Sequence, residues 1–156
     1  MSSPTPIVVR IQEADFDTTA ETVRLTKGRS NVGAVVTFTG LCRDEDGRLS
    51  ALELQHYPGM AEAELTRIAN EAVERWPLTG ITIVHRHGEI PPGDNIVLTV
   101  TASRHREAAF EAASFVMDFL KTRAPFWKKE HPIDGGDGDW VEAKSADDAA
   151  ADRWRT

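Results

Sequence analysis

The stretch ITIVHRHGEIPPGDNIVLTVTASRHREAAFEAASFVMDFLKTR, residues 81–123, decides the fold. It opens on a β-branched run at Ile81–His87, breaks at the turn-rich Gly88–Asp94, and resumes as a second such run at Asn95–Ser103. Strands joined by so short a connection pair antiparallel, because parallel pairing needs a crossover of about a dozen residues or more. From Arg104 to Arg123 the pattern becomes helical, and Ala124-Pro125 closes it, since a residue before proline is driven out of the helical region. A strand pair followed by a helix indicates an α+β domain rather than a doubly wound parallel sheet. Neither a dinucleotide-binding nor a P-loop glycine fingerprint stands at a strand-to-helix turn, so both of those folds are set aside.

Outward from that stretch the same signals recur. Ile7–Ile11 reads as a short strand, and Thr18-x-x-Glu21 as a capping box opening a helix that ends near Lys27-Gly28. Gly33–Gly40 is a β-branched strand. Arg43–Ser50, with Asp46-Gly47 inside it, reads as a hairpin connection to a strand at Ala51–Tyr57. After Pro58-Gly59, Ala61, Leu65, Ile68, Ala72 and Trp76 recur at helical spacing until Pro77. Beyond Pro125, HPIDGGDGDW (131–140) reads as a mobile loop, and the end from about Ser145 as frayed. The expected order is β-α-β-β-α-β-β-α, one domain over residues 1–145 with a flexible tail at 146–156.

Composition narrows the function. A chain of 156 residues buries enough surface for one core without staples. With 25 acidic against 18 basic side chains and a net charge of −7, non-specific nucleic-acid binding is disfavoured. One cysteine excludes an internal disulfide framework and any Cys-based zinc or iron–sulfur site. No apolar run approaches the roughly 20 residues of a membrane span, and Met1–Arg10 lacks the pattern of a signal peptide, so a soluble, cytoplasmic protein is expected. The charge is uneven. Residues 31–103 carry five basic and ten acidic side chains, whereas 104–133 carry six and four, plus His105 and His131. A locally basic stretch in an acidic protein suits a small anionic ligand, or is an ordinary solvated helix face.

Certain residues break local rules. Arg104-His105-Arg106 stands where a strand enters a helix N-terminus, and cations there oppose the helix dipole. An anion bound jointly by the helix end and these side chains would reverse that mismatch; otherwise all three point into solvent. Lys121 lies on the shoulder of the apolar helix face, and Lys128 follows beyond Pro125 beside Phe126 and Trp127. Both lysines suit a pocket mouth, although a basic residue near a helix C-terminus also suits the dipole. His85 and His87 share a strand face but have no third ligand at a suggestive spacing, so no metal is expected. The Asp134–Asp139 run lacks the terminal Glu of a calcium loop. Cys42, next to Arg43, is read as a packed small residue rather than a reactive thiol.

Five segments together resemble the molybdopterin synthase large-subunit family. They are GAVVTFTGLCR (33–43), LELQHYPGMAEAEL (52–65), IVHRHGEIPPGD (83–94), SRHREAAFEAASFVMDFLKTRAPFWKKE (103–130) and WVEA (140–143), in the family's order. The resemblance implies an α/β hammerhead fold with an added antiparallel subdomain. It also implies transfer of sulfur to cyclic pyranopterin monophosphate, forming the dithiolene of molybdopterin. The sulfur donor is the C-terminal Gly-Gly thiocarboxylate of a small ubiquitin-like sulfur-carrier subunit, and two large subunits form a homodimer at the centre of a heterotetramer. Carried over residue by residue, Lys121 and Lys128 become the catalytic lysines. Arg43, His105 and Arg106 become contacts to the pterin and its phosphate, with Leu41, Cys42, Lys129 and Glu130 beside them. No cofactor or metal is implied. Where some members carry an arginine after the WVEA-like segment, this chain has Lys144, which keeps the charge but loses the bidentate fork. The loop between Glu130 and Trp140 is expected to order only when substrate or the partner's tail binds.

Two other classes compete. A non-catalytic module would keep the docking groove and lose turnover, but retention of Arg43, His105, Arg106, Lys121 and Lys128 favours an enzyme. An RNA-binding protein is disfavoured by the charge and by the lack of an RNP-like aromatic strand.

Overall fold

The computed structural model describes residues 5–44, 46–135, 138, 140–141 and 145–155. In chain order the elements are β1 (Ile7–Gln12), α1 (Thr18–Thr26), β2 (Ala34–Leu41), β3 (Leu49–His56), α2 (Met60–Arg75) and β4 (Leu78–Arg86). They continue with β5 (Gly88–Ile90), β6 (Asn95–Ser103), α3 (Arg106–Thr122), β7 (Phe126–Pro132), β8 (Trp140–Val141) and α4 (Ser145–Asp152). One sheet has the order β1-β4-β6-β2 and the other β5-β3-β7-β8. In the first, β4, β6 and β2 pair antiparallel and β1 joins β4 in parallel. The second is antiparallel throughout. The architecture is α+β, with the second sheet as the added antiparallel layer.

Strand alternation assigns the layers. Ile81 and Ile83 of β4 and Val97 of β6 pack against Leu65, Ile68 and Ala72 of α2 and Ala112, Phe115 and Phe119 of α3. Val84, Leu98 and Val100 face the other way, onto Phe16 and Leu25 beside and within α1. Helices therefore cover both faces of β6, which is buried from Val97 to Ser103 and reads as a continuous β-branched run for that reason. Its threonines remain satisfied: Thr101 Oγ1 donates to the Ala109 carbonyl at 2.7 Å, and Thr99 Oγ1 to Met117 Sδ at 3.3 Å. Gly33 marks a close approach, because a Cβ there would sit 2.1 Å from the Arg104 carbonyl oxygen at the start of α3.

The structure departs from the sequence reading at several places. The turn-rich Gly88–Asp94 opens on the short strand β5, which pairs with β3, and Trp140–Val141 forms β8. The cap of α1 is Asp17, whose carboxylate accepts from the Ala20 N–H at 3.0 Å; Glu21 instead turns inward to pair with Arg10 and Arg24. The strands flanking Asp46-Gly47 do not form a hairpin, since β2 pairs with β6 while β3 pairs with β5 and β7. Cys42 holds them apart: its N–H donates to Asp94 O at 2.8 Å and its carbonyl accepts from Gly93 N–H at 2.7 Å. Residues 126–132 form a strand that the sequence conceals, because both of its faces carry charged and aromatic side chains and no apolar alternation appears. Finally, the expected flexible tail is instead helical over Ser145–Asp152 and packs on α3. Ala151 is buried, and Trp154 meets Trp76 and Phe115 edge-on while its Nε1–H donates to Asp118 at 2.6 Å. An eight-residue helix is marginal alone, so tertiary docking rather than local propensity creates it. No helix among the described residues is long and apolar enough to cross a membrane.

Candidate active site

A cavity of about 570 Å³ lies where α3 and the ends of the first sheet meet the second sheet. The end of β2 supplies Leu41, Cys42 and Arg43, and the last turns of α3 supply Met117 and Lys121. Along β7, alternation sends Phe126, Lys128 and Glu130 into the cavity. Lys129 falls on the opposite face, with its Nζ 5.7 Å from the Trp140 ring centroid. Six residues expected at the site thus converge: Leu41, Cys42, Arg43, Lys121, Lys128 and Glu130. Lys129 does not join them, because its strand neighbours already face inward and side chains along a strand alternate.

His105 and Arg106 are also elsewhere. They sit exposed at the N-terminus of α3, and Arg106 is about 22 Å from Lys121 along a helix rising roughly 1.5 Å per residue. His105 is the N-cap and makes no side-chain cap bond; its N–H is taken by Ser103 Oγ at 3.4 Å. Within one chain the basic helix start and the two-lysine cavity are therefore separate sites. Lys144 lies outside the described residues, as do positions 136, 137 and 139 of the loop expected to order on binding.

Cys42 is only 3% exposed and packs with Leu49, Leu54 and Ile90. Burial pushes its thiol pKa up, which favours the protonated thiol over the nucleophilic thiolate. Cys42→Ser is expected to leave activity largely intact while costing about 1 kcal/mol of stability, because it puts a hydroxyl into an apolar cluster. Assay of product together with a melting curve checks both halves.

The cavity also contains a histidine that its sequence position does not mark as a site residue. His85 lines the wall, 7% exposed, with its ring stacked on Phe126 at 3.8 Å between centroids and 14° between planes. Its Nδ1 is 2.8 Å from the Arg86 carbonyl oxygen. Burial, then the charges of Lys128 and Lys121, push its pKa down to about 4, against the opposing effect of the Arg86 bond. His87 turns away and meets His56 at 4.6 Å, so the two histidines do not converge as ligands. An imidazole that protonates near pH 6.5 when unfolded and near 4 when folded makes unfolding take up a proton in between. Stability should therefore fall as pH drops through that window, by up to about 3 kcal/mol. Denaturant unfolding at intervals from pH 7 to pH 4.5 reads the slope, which a chain carrying His85→Phe should flatten.

On the outer face of the second sheet, Glu53, Glu89 and His131 bring donor atoms within 4.8 Å of one another. Glu53 already bonds His131 Nε2 at 3.0 Å, and hydrogen bonds from Gln55 and His131, with the nearby Lys129 charge, hold its carboxyl below the usual range. That cross-strand network accounts for the cluster as charge pairing.

Comparison with known proteins gives consistent matches. The family model described as "MoaE protein" matches residues 11–123. The molybdopterin synthase catalytic subunit of Mesorhizobium japonicum is 67% identical over 156 residues, covering 100% of this chain and 98% of that protein. Its counterpart from Rhizobium meliloti is 65% identical over 149 residues, covering 96% of each. Among solved structures, the molybdopterin biosynthesis MoaE protein from Burkholderia ambifaria superposes with a TM-score of 0.82 at 48% identity, covering 96% of this chain and 99% of that one.

Proposed function

The chain belongs to the MoaE protein family, and on that premise we propose how its cavity carries out the family's reaction. The function is that of a catalytic subunit of molybdopterin synthase, a sulfurtransferase in molybdenum-cofactor biosynthesis. The substrate in this reading is cyclic pyranopterin monophosphate. The sulfur arrives as the C-terminal thiocarboxylate of a small ubiquitin-like subunit whose Gly-Gly tail enters the cavity. The carrying observation is the convergence on one cavity of Arg43, just past β2, with Lys121 of α3 and Lys128 of β7, nearly eighty residues further along the chain.

The roles follow from charge and shape. The guanidinium of Arg43 suits a phosphate, which it can grip with paired N–H donors. Leu41 and Cys42 form the apolar wall beside the heterocycle, and Glu130 offers a carboxylate to its N–H groups. Thiocarboxylate attack develops negative charge, which the Lys121 ammonium stabilises, with Lys128 assisting at the other wall. A lone buried cysteine fits this scheme, since the transferred sulfur comes from the partner and not from the chain.

His105 and Arg106 enter the reading through a second copy. A homodimer that brings one protomer's α3 N-terminus to its partner's cavity unites both basic groups around one anionic substrate. It also gives the exposed cations at that helix start something to bind. In this reading residues 1–145 act as one catalytic domain, the reaction is cytoplasmic, and Lys129 takes no direct part.

The deciding experiment mixes this chain with thiocarboxylated small subunit and cyclic pyranopterin monophosphate and measures molybdopterin. Product dependent on all three components is expected. Binding of the small subunit without product would identify a docking module instead.

A further inference from the structure

His85 is a buried titratable group for which the reaction described above has no use, and its geometry fixes its chemistry. The Arg86 carbonyl can only accept a hydrogen bond, so the nitrogen 2.8 Å from it, Nδ1, is the one that carries the ring proton. Protonation of the second nitrogen is opposed by burial and by two nearby ammonium groups, so the ring is neutral at physiological pH. Nε2 is therefore a bare acceptor. Face-to-face stacking on Phe126 holds the ring plane, and Phe126 follows directly on the Pro125 break at the start of β7. The orientation of the acceptor is thus set by packing on one side and by a backbone hydrogen bond on the other.

The other polar side chains of the cavity make this matter. Arg43, Lys121 and Lys128 only donate, which suits a phosphate or a thiocarboxylate and cannot serve an N–H group. A pterin carries ring and exocyclic N–H donors as well as acceptors. Glu130 and Asp147, which also lines the cavity, meet such a donor with full charge, whereas a neutral imidazole meets one without drawing in a competing cation.

We propose that His85 is a specificity-determining residue, its Nε2 accepting a hydrogen bond from a ring N–H of the bound heterocycle. The inference rests on the pterin reading of the site and goes beyond it. Arg43 and the lysines recognise charge, and His85 recognises the heterocycle. A phosphorylated compound without a matching N–H would occupy the cationic part of the cavity and forgo the hydrogen bond to Nε2, a loss that sites built to hydrogen-bond their substrate discriminate against strongly.

The test compares His85→Phe and His85→Gln with the natural chain, using thiocarboxylated small subunit and cyclic pyranopterin monophosphate. Phenylalanine keeps the stack on Phe126 and removes the acceptor. It should raise KM for the pterin about tenfold while changing kcat far less. Glutamine restores a carbonyl acceptor and should recover most of the loss. An unchanged KM in His85→Phe, or a fall in kcat alone, overturns the inference. A second measurement needs no variant: a ring-N-methylated pterin monophosphate should compete about tenfold more weakly than its parent for the natural chain. Equal competition also overturns the inference. Failure of the natural chain to make product overturns the pterin reading itself, and this inference with it; a productive natural chain with an indifferent His85 overturns this inference alone.

Discussion

Replacing Lys121 by alanine is expected to cut molybdopterin formation by about a hundredfold or more, the scale on which removal of one preorganised charge stabiliser acts. The fold should survive. Lys121 is exposed in the last turn of α3, where its favourable interaction with the helix dipole is worth only a few tenths of a kcal/mol. A melting temperature close to that of the natural chain, together with a collapsed single-turnover rate, separates chemistry from stability. Lys121→Arg should recover part of the rate, since it keeps the charge but replaces a compact ammonium by a planar fork. Lys128→Ala is expected to be milder, about tenfold, because the first lysine remains. Near-normal product formation by Lys121→Ala would remove that residue from the mechanism.

The largest effect on stability is expected from Phe115→Ala. Phe115 is fully buried and joins three helices: its ring lies edge-on to Trp76 at 5.2 Å, to Phe119 at 4.8 Å and to Trp154 at 5.7 Å. The Arg75 guanidinium covers it at 4.8 Å. Truncation leaves a cavity that these neighbours cannot all collapse into, at a cost of about 3–5 kcal/mol. Domains of this kind have a total stability of roughly 5–15 kcal/mol, so the melting temperature should drop by about 10 °C. The variant should also loosen α4, whose anchor is the Trp154 contact with this ring. Accelerated amide exchange over residues 145–155 would report it, and an unchanged melting temperature would refute the packing argument.

The two residues differ in how well the sequence announces them. Phe115 lies within a helical apolar pattern that opens at Ala108 and closes at Leu120, and its burial follows from period alone. Lys121 stands on the shoulder of that pattern, where a catalytic lysine and a solvated one look alike. The quoted family segments, more than its spacing, single it out. Lys129 is the converse case. It lies beside Lys128 in sequence, yet strand alternation puts the two on opposite faces of β7, and no local signal reveals that residues 126–132 form a strand. His85 was visible as a strand histidine, but the packed Phe126 and the nearby lysines that give it a purpose come from β7 and α3.

The sequence by itself determined the elements whose burial is local and periodic: β4, β6, α2 and α3, the antiparallel pairing across Gly88–Asp94, and hence the α+β class. It also showed that the chain has one cysteine and a locally basic stretch at residues 104–133, which are facts of composition. Only the tertiary structure decided which strands share a sheet, that β3 leaves β2 to pair with β7, that the C-terminal residues dock as a helix, and which cations face one cavity. The reason is physical. Periodicity records which side of an element avoids water, and each element carries that record alone. Strand partnership, helix docking and cavity walls arise from contacts between residues tens of positions apart, and the free energy of those contacts exists only when both partners are in place.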